Sequence, residues 1–155
     1  MTNVEIVEKF YDAFKTGDFV TMNSCYASDI VFSDPVYGLL YNDEVRAMWQ
    51  MSINHIRNFE LAYDNITEVD DEYITCTWQM VYTDQESQRR IIKQATAFMR
   101  IAEGKIIEHS DGFRLSTWIA QVLGLRGKLF GWTNFLKRRV QKRARRELES
   151  FMQAI

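Results

Sequence analysis

Proline occurs once in the 155 residues, at Pro35, and cysteine and histidine occur twice each, at Cys25, Cys76, His55 and His109. No Cys-x-x-Cys pair exists, so neither a zinc finger nor a disulfide scaffold is available. No metal and no other cofactor is expected. Long apolar runs are missing as well. The longest uncharged stretches, Tyr73 to Thr83 and Leu115 to Leu125, fall well short of the roughly 20 residues of a membrane-spanning helix. Glu5, Glu8 and Lys9 stand where a signal peptide needs an apolar run. With two solitary cysteines, this leads to the expectation of a reducing, cytoplasmic setting.

What is present suits one globular domain: 46% hydrophobic, 14% aromatic and 26% charged residues, with a formal net charge of -2. That small net charge hides an uneven distribution. Residues 1–111 carry 9 Lys+Arg against 19 Asp+Glu, giving -10, while residues 112–155 carry 10 against 2, giving +8. An acidic body is therefore followed by a basic segment.

The periodicity changes along the chain. Thr2 and Glu5 have capping-box spacing, and Val7, Phe10, Tyr11 and Phe14 follow at helical intervals up to Gly17. Asp18 is placed to cap a second helix through about Tyr26, and Ile30 to Ser33 reads as a short strand stopped by Pro35. Asn42 is placed to cap a third helix, with Val45, Met48, Trp49, Ile53 and Ile56 on one stripe. From Phe59 the period becomes two. Phe59, Leu61 and Tyr63 precede a turn at Asp70-Asp71, and Ile74, Cys76, Trp78, Met80 and Tyr82 follow it. Ile91 to Ile101 and Lys105 to Phe113 form a second pair of strands around Ala102-Glu103-Gly104. Helical spacing then returns, with Ser116 and Asn134 as expected caps and Gly124, Gly127 and Gly131 as punctuation. Helices first and antiparallel strands afterwards predict an α+β fold.

Three segments carry a resemblance: Phe14-Lys-Thr-Gly17-Asp18-Phe19, Phe32-Ser-Asp34-Pro35-Val36, and Gly104-Lys-Ile-Ile-Glu108-His109-Ser-Asp111. In this order they resemble the nuclear transport factor 2-like superfamily, which includes ketosteroid isomerase, the SnoaL-like polyketide cyclases and limonene epoxide hydrolase. The resemblance spans roughly residues 3 to 114. It implies a cone, in which a curved antiparallel sheet wraps against N-terminal helices around an apolar pocket. It thereby divides the chain into a domain over 1–114 and an added basic helical segment over 115–155, packed on the same domain. It also implies a small apolar ligand and a homodimer formed through sheet faces. Candidates to line the pocket are Phe14, Tyr26, Tyr37, Trp49, Trp78, Thr96, Phe98 and Phe113, although large aromatics equally build ordinary cores.

The same resemblance names candidate acids. Asp34 corresponds to the isomerase carboxylate that moves a proton between carbons, and an apolar cavity would raise its pKa toward neutrality. Asp-Pro also starts turns, so a purely structural role stands beside the catalytic one. Asp111 resembles the late aspartate that SnoaL-like cyclases use as acid/base, with His109 two residues before it on the same strand face, together with Ile107 and Phe113. The isomerase oxyanion hole is not reproduced, because its tyrosine falls at Phe10 and its second acid at Thr96. The epoxide hydrolase triad is broken too, since Arg100 is followed two residues later by Ala102. Steroid isomerisation and epoxide hydrolysis by those mechanisms are therefore not expected. Two functions stay open: an enzyme transferring protons on an apolar cyclic or carbonyl substrate, and a non-catalytic binding module.

The last segment has seven cations in the ten residues Lys137 to Arg146, preceded by Trp118, Leu125, Leu129, Phe130, Trp132 and Phe135. Three uses compete for residues 134–155. They could form a helical lid or brace, contact an anionic membrane surface, or bind nucleic acid. Nothing in them resembles a base-reading motif, which disfavours the last.

Overall fold

In the computed structural model, which describes residues 1–155 except for the side chain of Arg57, helix α1 (Asn3–Lys15) starts at a reciprocal capping box. Glu5 N–H donates to Thr2 Oγ1 at 3.1 Å, and Thr2 N–H donates to Glu5 Oε2 at 3.0 Å. Val7, Phe10, Tyr11 and Phe14 are buried from this helix, so its apolar face is fully used. Gly17 takes φ +72°, a turn conformation that an L side chain resists. Asp18 then caps α2 (Phe19–Ser24), accepting from Thr21 N–H at 3.0 Å.

Helix α2 ends sooner than its periodicity suggests. Tyr26 already belongs to strand β1 (Tyr26–Asp34), where it pairs with Ile106 eighty residues further on. A long-range ladder has overridden a local helical pattern. Pro35 opens the turn to β2 (Gly38–Tyr41), a four-residue strand with one buried side chain, Leu40, and hence too short for a periodic signal. Asn42 occupies the cap position of α3 (Asp43–His55), but at φ 53° its side chain makes no capping bond. Glu44 reaches back instead, accepting from Tyr41 N–H at 3.0 Å.

Strands β3 (Arg57–Glu68), β4 (Tyr73–Thr83), β5 (Arg90–Ala102) and β6 (Lys105–Gly112) complete a curved six-stranded sheet in the order β2-β1-β6-β5-β4-β3. All neighbours are antiparallel except β1 and β6, so the sheet is mixed rather than wholly antiparallel. The β5–β6 register also slips. Arg100 lies opposite Glu108 but Ile101 lies opposite Ile106, which leaves Ile107 as an extra residue. This bulge puts Ile106, fully buried, on the inner face with His109 and Asp111, where strict alternation had placed Ile107.

The main core lies between α1, α3 and the inner face of the sheet. Beyond β6 come α4 (Leu115–Leu123), α5 (Leu125–Phe130) and α6 (Asn134–Ala154). Ser116 lies inside α4, whose cap position is Arg114. Thr133, not Asn134, caps α6, accepting from Leu136 N–H at 3.3 Å. The glycine-rich stretch contains a helix, α5, and a Cβ on Gly127 would overlap the Ile119 carbonyl oxygen. Glycine is required there for α5 to approach α4 so closely. Helix α6 packs on α3 and α4, with Leu136, Val140 and Ala144 against Val36, Leu115 and Ile119.

Candidate functional site

Asp34 and Asp111 reach one place because β1 and β6 run side by side. Phe32 is paired with His109 and Ser33 with Ser110, so the next step along the two parallel strands is Asp34 and Asp111. Both line a cavity of about 290 Å³ bounded by the inner sheet face, α3, α4 and α6. Phe14, Met48, Trp49, Trp78, Met80 and Ile119 give it apolar walls. Towards solvent, Arg143 of α6 pairs with Glu86 at 2.8 Å, tying that helix to the β4–β5 loop. A wider depression of about 580 Å³ on the outer sheet face is open and holds one carboxylate, Asp64. Converging charge of both signs is found in the inner cavity, which makes it the candidate site.

Asp34 accepts from the backbone N–H groups of Val36 at 2.9 Å and Tyr37 at 2.7 Å, the Asx turn that Asp-Pro suggests. Both bonds fall on Oδ1, and Oδ2 carries none among the described residues. Burial raises the Asp34 pKa and Asp111 adds to the rise. The Lys93 charge and the two amides act against it.

Behind Asp111 runs a chain of buried hydrogen bonds. His109 Nε2 lies 2.9 Å from Asp111 Oδ1, and Trp78 Nε1–H donates to the same oxygen at 3.3 Å. A carboxylate only accepts, so Nε2 carries the imidazole proton and Nδ1 accepts from the Tyr26 hydroxyl at 2.8 Å. Tyr26 in turn accepts from Trp49 Nε1–H at 2.9 Å. Phe10 and Phe32 meet the His109 ring edge-on at 5.5 and 5.1 Å. The histidine is thus buried behind Asp111 and does not line the cavity.

The aromatic candidates separate into groups. Phe14, Tyr37, Trp49 and Trp78 line the cavity. Tyr26 is buried one layer behind it. Phe113 packs against Leu115 and Ile119, beneath the Lys93 ammonium. Thr96 and Phe98 are not on the wall: they occupy the outward phase of β5, and Phe98 is 53% exposed. Alternation along a strand defines two faces, and the fold decides which of them looks into the cavity. Phe10 stands where the resemblance places a tyrosine and offers no donor. Tyr11 is buried as well, off the cavity wall, and its hydroxyl has no hydrogen-bond partner among the described residues.

Lys93 was missed. It shares the inward phase of β5 with Ile91, Ala95, Ala97 and Met99, and a cation at an inward phase is a signal legible in the strand's alternation. Its Nζ lies 4.0 Å from the Phe113 ring centroid, 5.7 Å from Trp118 and 5.9 Å from Trp78. Among the described residues no carboxylate comes within 4.0 Å of it. Burial lowers its pKa, while Asp34 and Asp111 pull the other way. Trp118 and Tyr82 complete this wall, joined by an Nε1–H to Oη bond of 2.9 Å.

Comparison with known proteins agrees on the fold. The solved structure of a protein with a ketosteroid isomerase-like fold from Catenulispora acidiphila, in complex with trimethylamine, has a TM-score of 0.69 at 17% identity, covering 83% of this chain and 98% of that one. A proposed polyketide cyclase from Pseudomonas putida KT2440 gives 0.64 at 22% identity, covering 79% and 98%. An LEH-like epoxide hydrolase from M. tuberculosis gives 0.64 at 17% identity, covering 81% and 90%. A search of curated protein sequences returns no match. The family model described as the SnoaL-like domain matches residues 7–109, from within α1 to the β6 histidine. The chain belongs to the SnoaL-like domain family, within the nuclear transport factor 2-like superfamily.

Proposed function

We propose that the cavity binds a small, mainly apolar molecule bearing a carbonyl or hydroxyl group, and that Asp34 moves a proton on it. One observation carries this reading: Asp34, Lys93 and Asp111 converge on a single apolar-walled cavity. Its volume of about 290 Å³ lies at the lower end of the roughly 300–1,000 Å³ usual for ligand sites. A ligand of one or two rings fits that scale.

The three groups divide the work by their bonding. Asp34 has an oxygen without a hydrogen bond and a raised pKa, which suits a carboxylate that takes a proton from carbon and returns it at a neighbouring atom. Lys93 supplies positive charge where an enolate or phenolate oxygen would develop. Asp111 already accepts from His109 and Trp78, so it acts as a fixed charge that orients the ligand and balances Lys93. No part of this scheme uses a tyrosine and protonated-acid oxyanion hole, whose positions are Phe10 and Thr96 here.

The test uses 2-tetralone, an apolar ketone with exchangeable α-protons, in deuterated buffer followed by proton NMR. Wild-type protein should accelerate α-deuteration above buffer, and Asp34→Asn should abolish the acceleration while still binding the ketone. Binding without accelerated exchange in the wild type would instead favour a non-catalytic binding module. Equal exchange by wild type and Asp34→Asn would remove Asp34 from the proposed role.

A further inference from the structure

The corner where α5 meets α6 has an apolar outer surface. Leu125, Leu129, Phe130, Trp132 and Phe135 are 71, 55, 55, 70 and 74% exposed, all within residues 125–135. Single exposed apolar side chains are ordinary, but a group containing two phenylalanines and a tryptophan is not. None of the five belongs to either hydrophobic cluster of the protein. Trp132 Nε1–H donates to the Leu129 carbonyl at 2.9 Å, so the indole can enter an apolar medium with its donor satisfied.

Cations continue from this corner along α6. Phe135, Arg138, Arg139, Lys142 and Arg146 fall at helical intervals on one exposed stripe, opposite the packed Leu136, Val140, Ala144 and Leu148. Glu149 follows near its far end. The cations facing the body are engaged differently. Arg143 pairs with Glu86 and Glu147, and Arg145 donates to the carbonyls of Tyr37 and Leu39. Among the described residues, none of Arg138, Arg139, Lys142 and Arg146 has a carboxylate within 4.0 Å. Bracing α6 to the acidic body therefore uses Arg143 and Arg145 and leaves the outward stripe unpaired.

We infer that the α5–α6 corner and this stripe form a peripheral docking site for an anionic bilayer surface. Phe130, Trp132 and Phe135 enter the headgroup boundary, and Arg138, Arg139, Lys142 and Arg146 face the lipid phosphates. A bilayer matches both halves of the surface at once. Nucleic acid would match the cations but leave five large apolar side chains in water. No helix is long and apolar enough to cross a membrane, so the attachment is to the surface.

The full chain is sedimented with phosphatidylcholine vesicles and with mixed phosphatidylcholine–phosphatidylglycerol vesicles at low and high salt. Binding to the mixed vesicles alone, falling with salt, is expected. Neutralising Arg138, Arg139 and Lys142 to Gln should weaken it by roughly fivefold per charge. The double variant Trp132→Ser, Phe135→Ser should weaken it by about tenfold or more. All five side chains lie outside the hydrophobic clusters, so unchanged circular dichroism and melting will show that the variants are folded. Absence of cosedimentation at low salt overturns the inference. So does tighter binding to duplex nucleic acid that ignores the apolar double variant. Self-association that this variant abolishes, without vesicle binding, would assign the surface to a second copy of the chain and equally overturn it.

Discussion

His109 Nε2 lies 2.9 Å from Asp111 Oδ1, with the two residues 2% and 5% exposed, and Tyr26 closes the other side of the imidazole. The carboxylate at the cavity wall is therefore held by an imidazole whose tautomer it sets, while Tyr26 satisfies the far nitrogen from behind. Tyr26→Phe removes the partner of His109 Nδ1 and of Trp49 Nε1 together. It should lower stability by about 1–3 kcal/mol, the range for leaving a buried polar group unpaired. Urea denaturation gives the loss, and nitrogen NMR of the ring should still show the Nε2–H tautomer, because Asp111 only accepts. A mixed tautomer in the variant would mean that Tyr26, and not Asp111 alone, fixes the ring.

Asp34 should weaken the protein as pH rises. Its folded-state pKa is raised by burial, so the neutral form is favoured in the folded state. That stabilisation is whole below the unfolded value and is lost as pH rises through the folded value. Asp34→Asn keeps an oxygen for the Val36 and Tyr37 amides and removes the ionisation. The variant should gain on the wild type in denaturation experiments moving from acid to neutral pH, and a pH-independent difference would contradict the raised pKa.

Lys93 is the largest influence holding the Asp34 pKa down. Lys93→Met keeps an unbranched chain against Phe113 and Trp118 while removing the charge. The Asp34 carboxyl, followed by carbon NMR, should then titrate at higher pH than in the wild type. An unchanged midpoint would show that the ammonium does not reach Asp34 and would remove Lys93 from the proposed charge balance.

Thr133 and Asn134 offer a comparison of adjacent caps. Thr133 Oγ1 accepts from Leu136 N–H, whereas Asn134 is the first residue of α6. Thr133→Ala should cost about 1 kcal/mol. Asn134→Ala should cost less than half of that, since alanine suits a helical position. Paired melting curves decide the order.

Gly127→Ala tests the contact between α4 and α5. The new Cβ would meet Ile119 backbone atoms, which cannot swing aside as a side chain can. A loss of about 1–3 kcal/mol is expected, as for other overpacked sites. A neutral substitution would mean that α5 can lift away from α4 without disturbing the fold.

The sequence by itself determined the helix starts at Thr2 and Asp18, the four long strands and the division between acidic body and basic segment. Each depends on side chains a few residues apart, and local periodicity reports those directly. It also singled out Asp34 and Asp111, because three short segments carried the family resemblance. Tertiary structure decided the rest through contacts distant in the chain. Pairing with β6 drew Tyr26 out of helix α2 and made the sheet mixed. A one-residue bulge turned Ile106 inward and Ile107 off the inner face, since side-chain direction in a strand changes with each residue. The same phase rule took Thr96 and Phe98 off the cavity wall and brought Lys93 to it. The scarcity of histidine excluded a zinc finger from the outset, but only the fold revealed that one of the two histidines stands behind a cavity carboxylate, hydrogen-bonded to a tyrosine eighty-three residues away.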